Sequence, residues 1–322
     1  MHRCMRRWPL LLLAASCHVA TPAAAQNYPS RVIKLVVPLA AGGQPDTIAR
    51  LFAQHLSATV GPTIIDNHPG ANTTIGTALV AKADPDGYTL LYASASSLSL
   101  APALGKVDYD PINGFAPIAT FSTSPFMLIV GPTVPSKTAP EFVAYAKSRP
   151  GKLNFVAPTG GPPHLAGELF KRATGIDIVP VSYRMMNQGF TDVMSGQMDL
   201  VFDGPAPLIP LLQEGKLHAL VSLGAARTSV LPDVPTMKEV GLPDVQLSTW
   251  NGLAAPAGTP QPIIDKLNAA INSALKSPEI IAALARFGSE PLSMSPREFS
   301  AMIKIEAPKW AEIARASGIK GE

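Results

Sequence analysis

The sequence predicts an exported α/β protein of two domains, and three observations carry that prediction. Short β-branched runs alternate with amphipathic helical stretches along most of the chain, the pattern of strands flanked by helices. The chain's 322 residues exceed what a single hydrophobic core usually serves, so two domains are expected. The N-terminus has the layout of an export signal.

That signal comes first in order. His2, Arg3, Arg6 and Arg7 make a basic start, an apolar run covers 8–15, and Ala23-Ala24-Ala25 precedes Gln26. The combination predicts a signal peptide at 1–25, cleaved after Ala25. Its apolar run is far shorter than the ~20 residues that span a bilayer, so a membrane anchor is not expected. Leu13-Ala-Ala-Ser-Cys17 is a loose lipobox, with lipidation at Cys17 as the minor alternative. Cleavage removes Arg3, Arg6 and Arg7 from 26 basic residues and leaves all 23 acidic ones, so 23 face 23. A neutral mature chain argues against a nucleic-acid partner. Cys4 and Cys17 leave as well, which removes any disulfide, thiol nucleophile or thiolate metal ligand.

The first mature strand is predicted at 31–37, a β-branched run suited to a buried sheet. Ile48, Leu51, Phe52, His55, Leu56 and Val60 then recur three and four apart before Gly61. This spacing predicts a helix with Pro45 in its first turn. Further strands are expected at 62–65, 88–92, 117–121, 126–130, 153–156, 177–181, 198–202 and 219–223. Helices are expected between most of them, at 75–83, 139–147, 164–174 and 190–195. The end of the chain changes character: 262–275, 278–287 and 296–316 read as three successive helices, each opened by proline. The 33 prolines are about twice the usual ~5% and sit at element ends, which implies short elements and rigid turns.

Three loops at predicted strand ends carry the binding signal. Pro38-Leu-Ala-Ala-Gly-Gly-Gln-Pro-Asp46 offers a glycine pair and a helix start, without the spacing of a dinucleotide or P-loop motif. A tight turn and a ligand loop account for it equally well. Asp46 would stabilise the helix start yet repel a carboxylate. Ser94-Ala-Ser-Ser97 offers hydroxyls, and Thr159-Gly-Gly-Pro-Pro163 offers bare backbone. Ligands of open α/β sheets bind at that edge.

Catalytic signals are weaker. No G-x-S-x-G elbow occurs. His55 reads as a core or boundary residue and His218 as a surface position. His164 and Glu168 stand four apart but lack a third metal ligand. Asp46 and Asp203 are a conceivable acid/base pair whose separation the sequence does not reveal. No catalytic residue, metal or cofactor is expected.

Several motifs together resemble a known family. They are Tyr28-Pro-Ser-Arg-Val-Ile, Pro38-Leu-Ala-Ala-Gly-Gly, Asn67-His-Pro-Gly-Ala71, Ala83-Asp-Pro-Asp-Gly-Tyr-Thr-Leu90 and His164-Leu-Ala-Gly-Glu168. Gly196-Gln-Met-Asp-Leu200, Leu231-Pro-Asp-Val-Pro-Thr236 and Trp250-Asn-Gly-Leu-Ala-Ala-Pro-Ala-Gly-Thr-Pro260 follow in order. The chain is similar to the Bug, or TctC, group of tripartite tricarboxylate transporter substrate-binding proteins. The resemblance implies a type 2 periplasmic binding protein fold, two lobes with mixed, mostly parallel sheets flanked by helices. Residues 26–124 and 248–322 would form lobe one and 125–247 lobe two. It implies a periplasmic monomer, not an enzyme, that delivers a small carboxylate to a two-subunit membrane permease. Two waters often bridge such a ligand to the first lobe.

The implied first-lobe contacts are Leu39, Ala41, Gly42, Gly43, Asp46, Ser94 and Ser97. Those of the second lobe are Thr159, Gly160, the loop after Tyr183, and Asp203. Departures from the family pattern bear on the ligand. Arg184-Met185-Met186 stands where Lys-Gly often follows the tyrosine, Leu98 replaces a common histidine, and Gly204 an asparagine. Met185 and Met186 suggest a carboxylate with an apolar or aromatic body; packing inward or at the cleft rim is the plainer alternative. No basic side chain can be placed in the cleft from sequence. A sensor that presents a carboxylate to a signalling receptor, or a hydrolase or lyase, are the rival functions.

Overall fold

The computed structural model describes residues 28–183 and 185–319. The expected signal peptide, its cleavage site and the alternative lipidation at Cys17 lie outside the described residues.

Two mixed sheets organise the chain. The first contains β1 (Ile33–Val37), β2 (Thr63–Asn67), β3 (Thr89–Ser94), β4 (Phe115–Pro125), β10 (Ser248–Pro256) and β11 (Glu290–Pro291), in the order β11-β4-β10-β3-β1-β2. Strand β1 is parallel to β2 and β3, while β10 runs antiparallel between β3 and β4. The second contains β5 (Met127–Val130), β6 (Leu153–Val156), β7 (Ile178–Val181), β8 (Leu200–Asp203) and β9 (His218–Ser222), in the order β7-β6-β8-β5-β9. There only β5 opposes its neighbours. In both sheets most strands therefore point one way, as the sequence pattern predicts for α/β lobes.

Helices cover both faces. In the first lobe, α1 (Gln44–Thr59) and α8 (Gln261–Ala274) bury Phe52, Leu56, Leu267 and Ile271 against Leu35, Tyr92 and Phe121, with α9 (Pro278–Arg286) adding Ile280 and Leu284. Phe52 stacks on Phe121 with ring centroids 4.2 Å apart. The opposite face takes α2 (Thr74–Ala81) through Val80. In the second lobe, α4 (Ala139–Lys147) and α5 (Pro162–Thr174) enclose Phe142, Phe155, Phe170 and Phe202. The other side is closed by α6 (Met186–Ser195), through Phe190 and Val193, and by the segment before α7 (Ile209–Gln213), through Leu208. Each such side chain contributes about 1.5–3 kcal/mol by leaving water.

The last helix, α10 (Pro296–Ala316), opens with a capping box in which Ser295 and Glu298 satisfy each other's backbone N–H groups. It does not keep to one lobe. Phe299 and Ile303 join the first-lobe cluster, whereas Trp310, Ile313 and Ala314 pack into the second-lobe core. Arg172 of α5 adds a 3.1 Å ion pair with Glu312.

The chain crosses between sheets twice, from β4 into β5 and from β9 back to β10. At the junction Phe126 N donates to Leu247 O (3.1 Å), Leu223 N to Phe126 O (2.7 Å) and Leu247 N to Leu223 O (2.9 Å). The crossing segments thus satisfy each other's backbone groups where neither sheet does.

Besides the short β11 and α7, which the sequence did not predict, two differences from the sequence expectation bear on the site. Strand β10 was not expected, because Asn251, Gly252 and Pro256 interrupt its apolar run. Gly252 is there for space: a Cβ would stand 2.6 Å from Ala119 O and 2.9 Å from the Phe299 ring. Likewise unforeseen is a wide π-type turn, Ser96–Leu100, that runs into α3 (Ala101–Leu104). Such turns recur at functional sites.

Candidate functional site

The C-terminal ends of β1, β2 and β3 lie side by side in the first sheet, and those of β6, β7 and β8 in the second. Between the loops that leave these ends lies a cavity of about 600 Å³. The first lobe supplies the turn around Ala71, Asn72 and Thr74, then Ser96 and the stretch from Leu100 through α3 to Val107. The second lobe supplies Pro158 to Pro162. Leu100, Leu104, Val107 and Pro158 make an apolar wall; Asn72, Thr74, Ser96 and Thr159 bring neutral polar groups. Lys106 is the single charged residue among the described residues that line it.

The glycine loop after β1 is held from below by Asp46. One carboxylate oxygen accepts from Gly42 N (2.8 Å) and Arg50 Nε (2.9 Å), and the other from Asn67 Nδ2 (3.0 Å). Asn67 Nδ2 also donates to Leu39 O at 3.1 Å, so β2 grips the same loop. Desolvation pushes this carboxyl upward, but the donors from Arg50, Gly42 and Asn67 outweigh it and hold it near 2. Asp46 is buried and its oxygens already face protein donors. It shapes the loop and leaves Ala41, Gly42 and Gly43 exposed. Leu39 is half-buried against the α1 cluster, and none of these loop residues encloses the cavity.

The serine loop after β3 folds on itself. Ser94 N donates to Ser97 Oγ (2.9 Å), Ser97 N to Ser94 Oγ (3.2 Å) and Ser97 Oγ to Ser94 O (3.0 Å). Both side chains are buried, so their hydroxyls stabilise the π-type turn. The turn instead presents Ser96 to the cavity. Nothing in the residue types separates Ser96 from Ser97; the wide turn decides it.

In the second lobe Thr159 and Gly160 do reach the cavity. Thr159 Oγ1 and Ser182 Oγ share a 2.9 Å hydrogen bond, which ties the loops after β6 and β7 together. Gly160 has φ +70, and its N–H donates to His164 Nδ1 at 3.3 Å. Burial lowers the histidine's pKa, with Glu168 opposing and Lys171 assisting, so a neutral ring accepts that bond. Glu168 pairs with Lys171 at 2.8 Å, and among the described residues no three metal-ligating side chains come together.

The remaining predicted residues sit elsewhere. Tyr183 donates its hydroxyl to Asp192 Oδ2 at 2.6 Å and packs on the α6 cluster, and this bond, with burial, pushes its pKa up to about 12. Met185 is 67% exposed, while Met186 packs against that cluster as the first residue of α6. Neither methionine lines the cavity. Asp203 ends β8, half-buried, and accepts from Gly204 N at 2.7 Å. Burial pushes its pKa up to about 7 against that bond.

Sequence reasoning missed the turn after β2. Ala71, Asn72 and Thr73 hold φ of 43, 48 and 76, left-handed values that cost non-glycine residues energy. Thr73 Oγ1 is buried there without a hydrogen-bond partner. Strain of this kind concentrates at ligand clamps. The available signal was position alone: the turn leaves the end of β2 as the glycine and serine loops leave β1 and β3.

The family profile described as "Tripartite tricarboxylate transporter family receptor" matches residues 48–319. The chain belongs to this family. Among the receptor's relatives, the "UPF0065 protein in the TAR-I ttuE-ttuC' intergenic region" of Agrobacterium vitis is 35% identical over 317 residues, covering 97% of this chain and 92% of that protein. The Protein BugT of Bordetella pertussis is 33% identical over 316 residues, covering 96% of each. The receptor fold matches that of solved proteins. A periplasmic transporter is 37% identical with TM-score 0.75, covering 92% of this chain and 100% of its own. MatC of Rhodopseudomonas palustris with bound malate is 34% identical (TM-score 0.71, 89% and 99% covered). Rpa4515 of R. palustris with adipate is 32% identical (TM-score 0.75, 91% and 99% covered).

Proposed function

We propose that the chain works in the periplasm as a receptor that captures a small carboxylate between its lobes and hands it to a two-subunit membrane permease. One observation carries the reading: both lobes contribute to a cavity of about 600 Å³ walled by neutral polar groups, backbone, aliphatic side chains and one lysine, Lys106. That volume lies within the ~300–1,000 Å³ of small-molecule sites. Two relatives of more than 30% identity hold the dicarboxylates malate and adipate.

In this reading the ligand meets Asn72, Thr74, Ser96, Thr159 and the backbone around Gly160. The glycine loop of Gly42 and Gly43, preset by Asp46, leaves the neighbouring end of β1 and does not itself line the cavity. The ligand's apolar body rests on Leu100, Leu104, Val107 and Pro158, not on Met185 and Met186. Thermal melting of the protein with carboxylates, amines and neutral sugars tests the proposal. A carboxylate at a hundredfold excess over Kd adds about 2.7 kcal/mol. Stabilisation by amines or sugars alone, or by nothing in the panel, overturns it, as does a carboxylate recovered chemically altered.

A further inference from the structure

We infer that Lys106 pairs with a second anionic group of the ligand and selects aliphatic dicarboxylates over monocarboxylates of the same chain length. The inference rests on the carboxylate reading above and adds a specificity-determining residue to it.

The cavity's charge is one-sided. No aspartate or glutamate lines it among the described residues, and Lys106 alone supplies charge. Lys106 takes part in none of the ion pairs formed by the described residues, although seven other lysines and arginines are held in such pairs. An ammonium left unpaired at the wall of a cleft is a standing site for an anion. The neighbouring Leu104 and Val107 also line the cavity, so the aliphatic stem can follow the apolar wall while the head stays polar.

The backbone that carries Lys106 is fixed on both sides. Gly105 N closes α3 by donating to Ala101 O at 3.2 Å. Tyr109 donates its hydroxyl to Ser97 O at 2.5 Å, which ties the following residues to the buried serine turn. Of the two acids in that loop, Asp108 is exposed and pairs with no cation among the described residues, while Asp110 turns its carboxylate to Ile112 N (2.8 Å) and Asn113 N (2.9 Å). Lysine flexibility is therefore confined to the side chain, which suits dicarboxylates of varied length.

The second wall argues for the same ligand class. The polar groups of Ser96 and Thr159 are neutral and can satisfy one carboxylate by hydrogen bonds. They offer nothing cationic for another. A monocarboxylate leaves Lys106 unpaired, whereas a dicarboxylate uses both ends.

Titration calorimetry on wild type, Lys106→Met and Lys106→Arg decides the matter, with succinate, glutarate, adipate and suberate set against butyrate, valerate, hexanoate and octanoate. Circular dichroism melts establish that each variant folds. The expected result is that the best dicarboxylate binds wild type more tightly than its matched monocarboxylate. Lys106→Met should weaken that dicarboxylate by about 10- to 100-fold and the monocarboxylate by less than about twofold, with Lys106→Arg restoring most of the loss. Equal weakening of both classes by Lys106→Met, no weakening of either, or monocarboxylates that bind wild type as tightly overturns the role of Lys106 while leaving the carboxylate reading in place. If no carboxylate binds any of the three proteins, both fall.

Discussion

Trp250 of β10 donates its indole Nε1 to Glu306 Oε2 of α10 at 2.5 Å, and the same oxygen accepts from Ser99 Oγ at 2.9 Å. One part-buried carboxylate thus ties the strand leaving the interlobe crossing, the helix that packs on both lobes, and the π-type turn whose Ser96 faces the cavity. Burial pushes the Glu306 carboxyl above its usual range, and the donors from Trp250 and Ser99 only partly offset this.

Trp250→Phe keeps a ring against Phe299, now an edge contact at 5.1 Å, and removes the donor. A hydrogen bond to a charged group stabilises by about 1.5–3 kcal/mol, so the variant should lose about that much at pH 8. The lost donor served the ionised form, so the carboxyl pKa rises further and the penalty shrinks as acid protonates Glu306. Urea titrations at pH 8 and pH 5 check this; equal losses at both would place the effect in packing.

Asp46→Asn tests the tether beneath the glycine loop. Its folded pKa is about 2, below the ~3.9 of a free aspartate. A lowered pKa gives stability that is complete above the unfolded value and disappears as pH falls toward the folded one. Wild type should exceed the variant by about 1.5–3 kcal/mol at pH 7, with the gap closing between about pH 4 and pH 2. Arg50 is half exposed, which favours the lower figure. Denaturation across that range follows the gap directly.

How far the sequence foretold this site depends on which physical scale set each feature. The strand-helix alternation that predicts α1 or α5 arises from burial of one face, and burial is written in residue type. Strand β10 escaped because its Gly252 answers to Phe299, 47 positions away, and not to strand propensity. The serine loop was rightly placed at a strand end, yet Ser94 and Ser97 spend their hydroxyls on each other and Ser96 turns outward. Lys106 could not be placed, because α3 and the π-type turn that swing it into the cleft carry no distinctive pattern. Met185 and Met186 drew notice as departures from a family pattern, but the first turn of α6 directs one to solvent and the other to its own core.

Asp203 gives the opposite pH signature from Asp46. Burial raises its carboxyl to about 7, so the folded protein holds a proton that the unfolded chain has already released. Wild type should lose stability as pH rises from about 4 to about 7, and Asp203→Asn, which cannot ionise, should lack that component. The variant is expected to match wild type near pH 4 and to melt higher at pH 8. Parallel melting curves for the two proteins across this range would show that Asp203 ionises freely.

Thr73→Gly separates strain kept for binding from strain without purpose. Thr73 holds φ 76 with a buried, unpartnered hydroxyl, between Asn72 and Thr74 of the cavity wall. Left-handed backbone costs a residue of this kind about 1–3 kcal/mol, while glycine gives back about 0.5–1 kcal/mol in unfolded-state entropy. Glycine also removes the orphaned hydroxyl, so the variant should be about 1 kcal/mol more stable than wild type. Its ligand affinity should fall, because the turn is then free to leave the geometry that presents Asn72 and Thr74. Melting and calorimetry on the same samples report both quantities. Gain in stability with unchanged affinity would mean that the left-handed turn serves the fold of α2 and not the ligand.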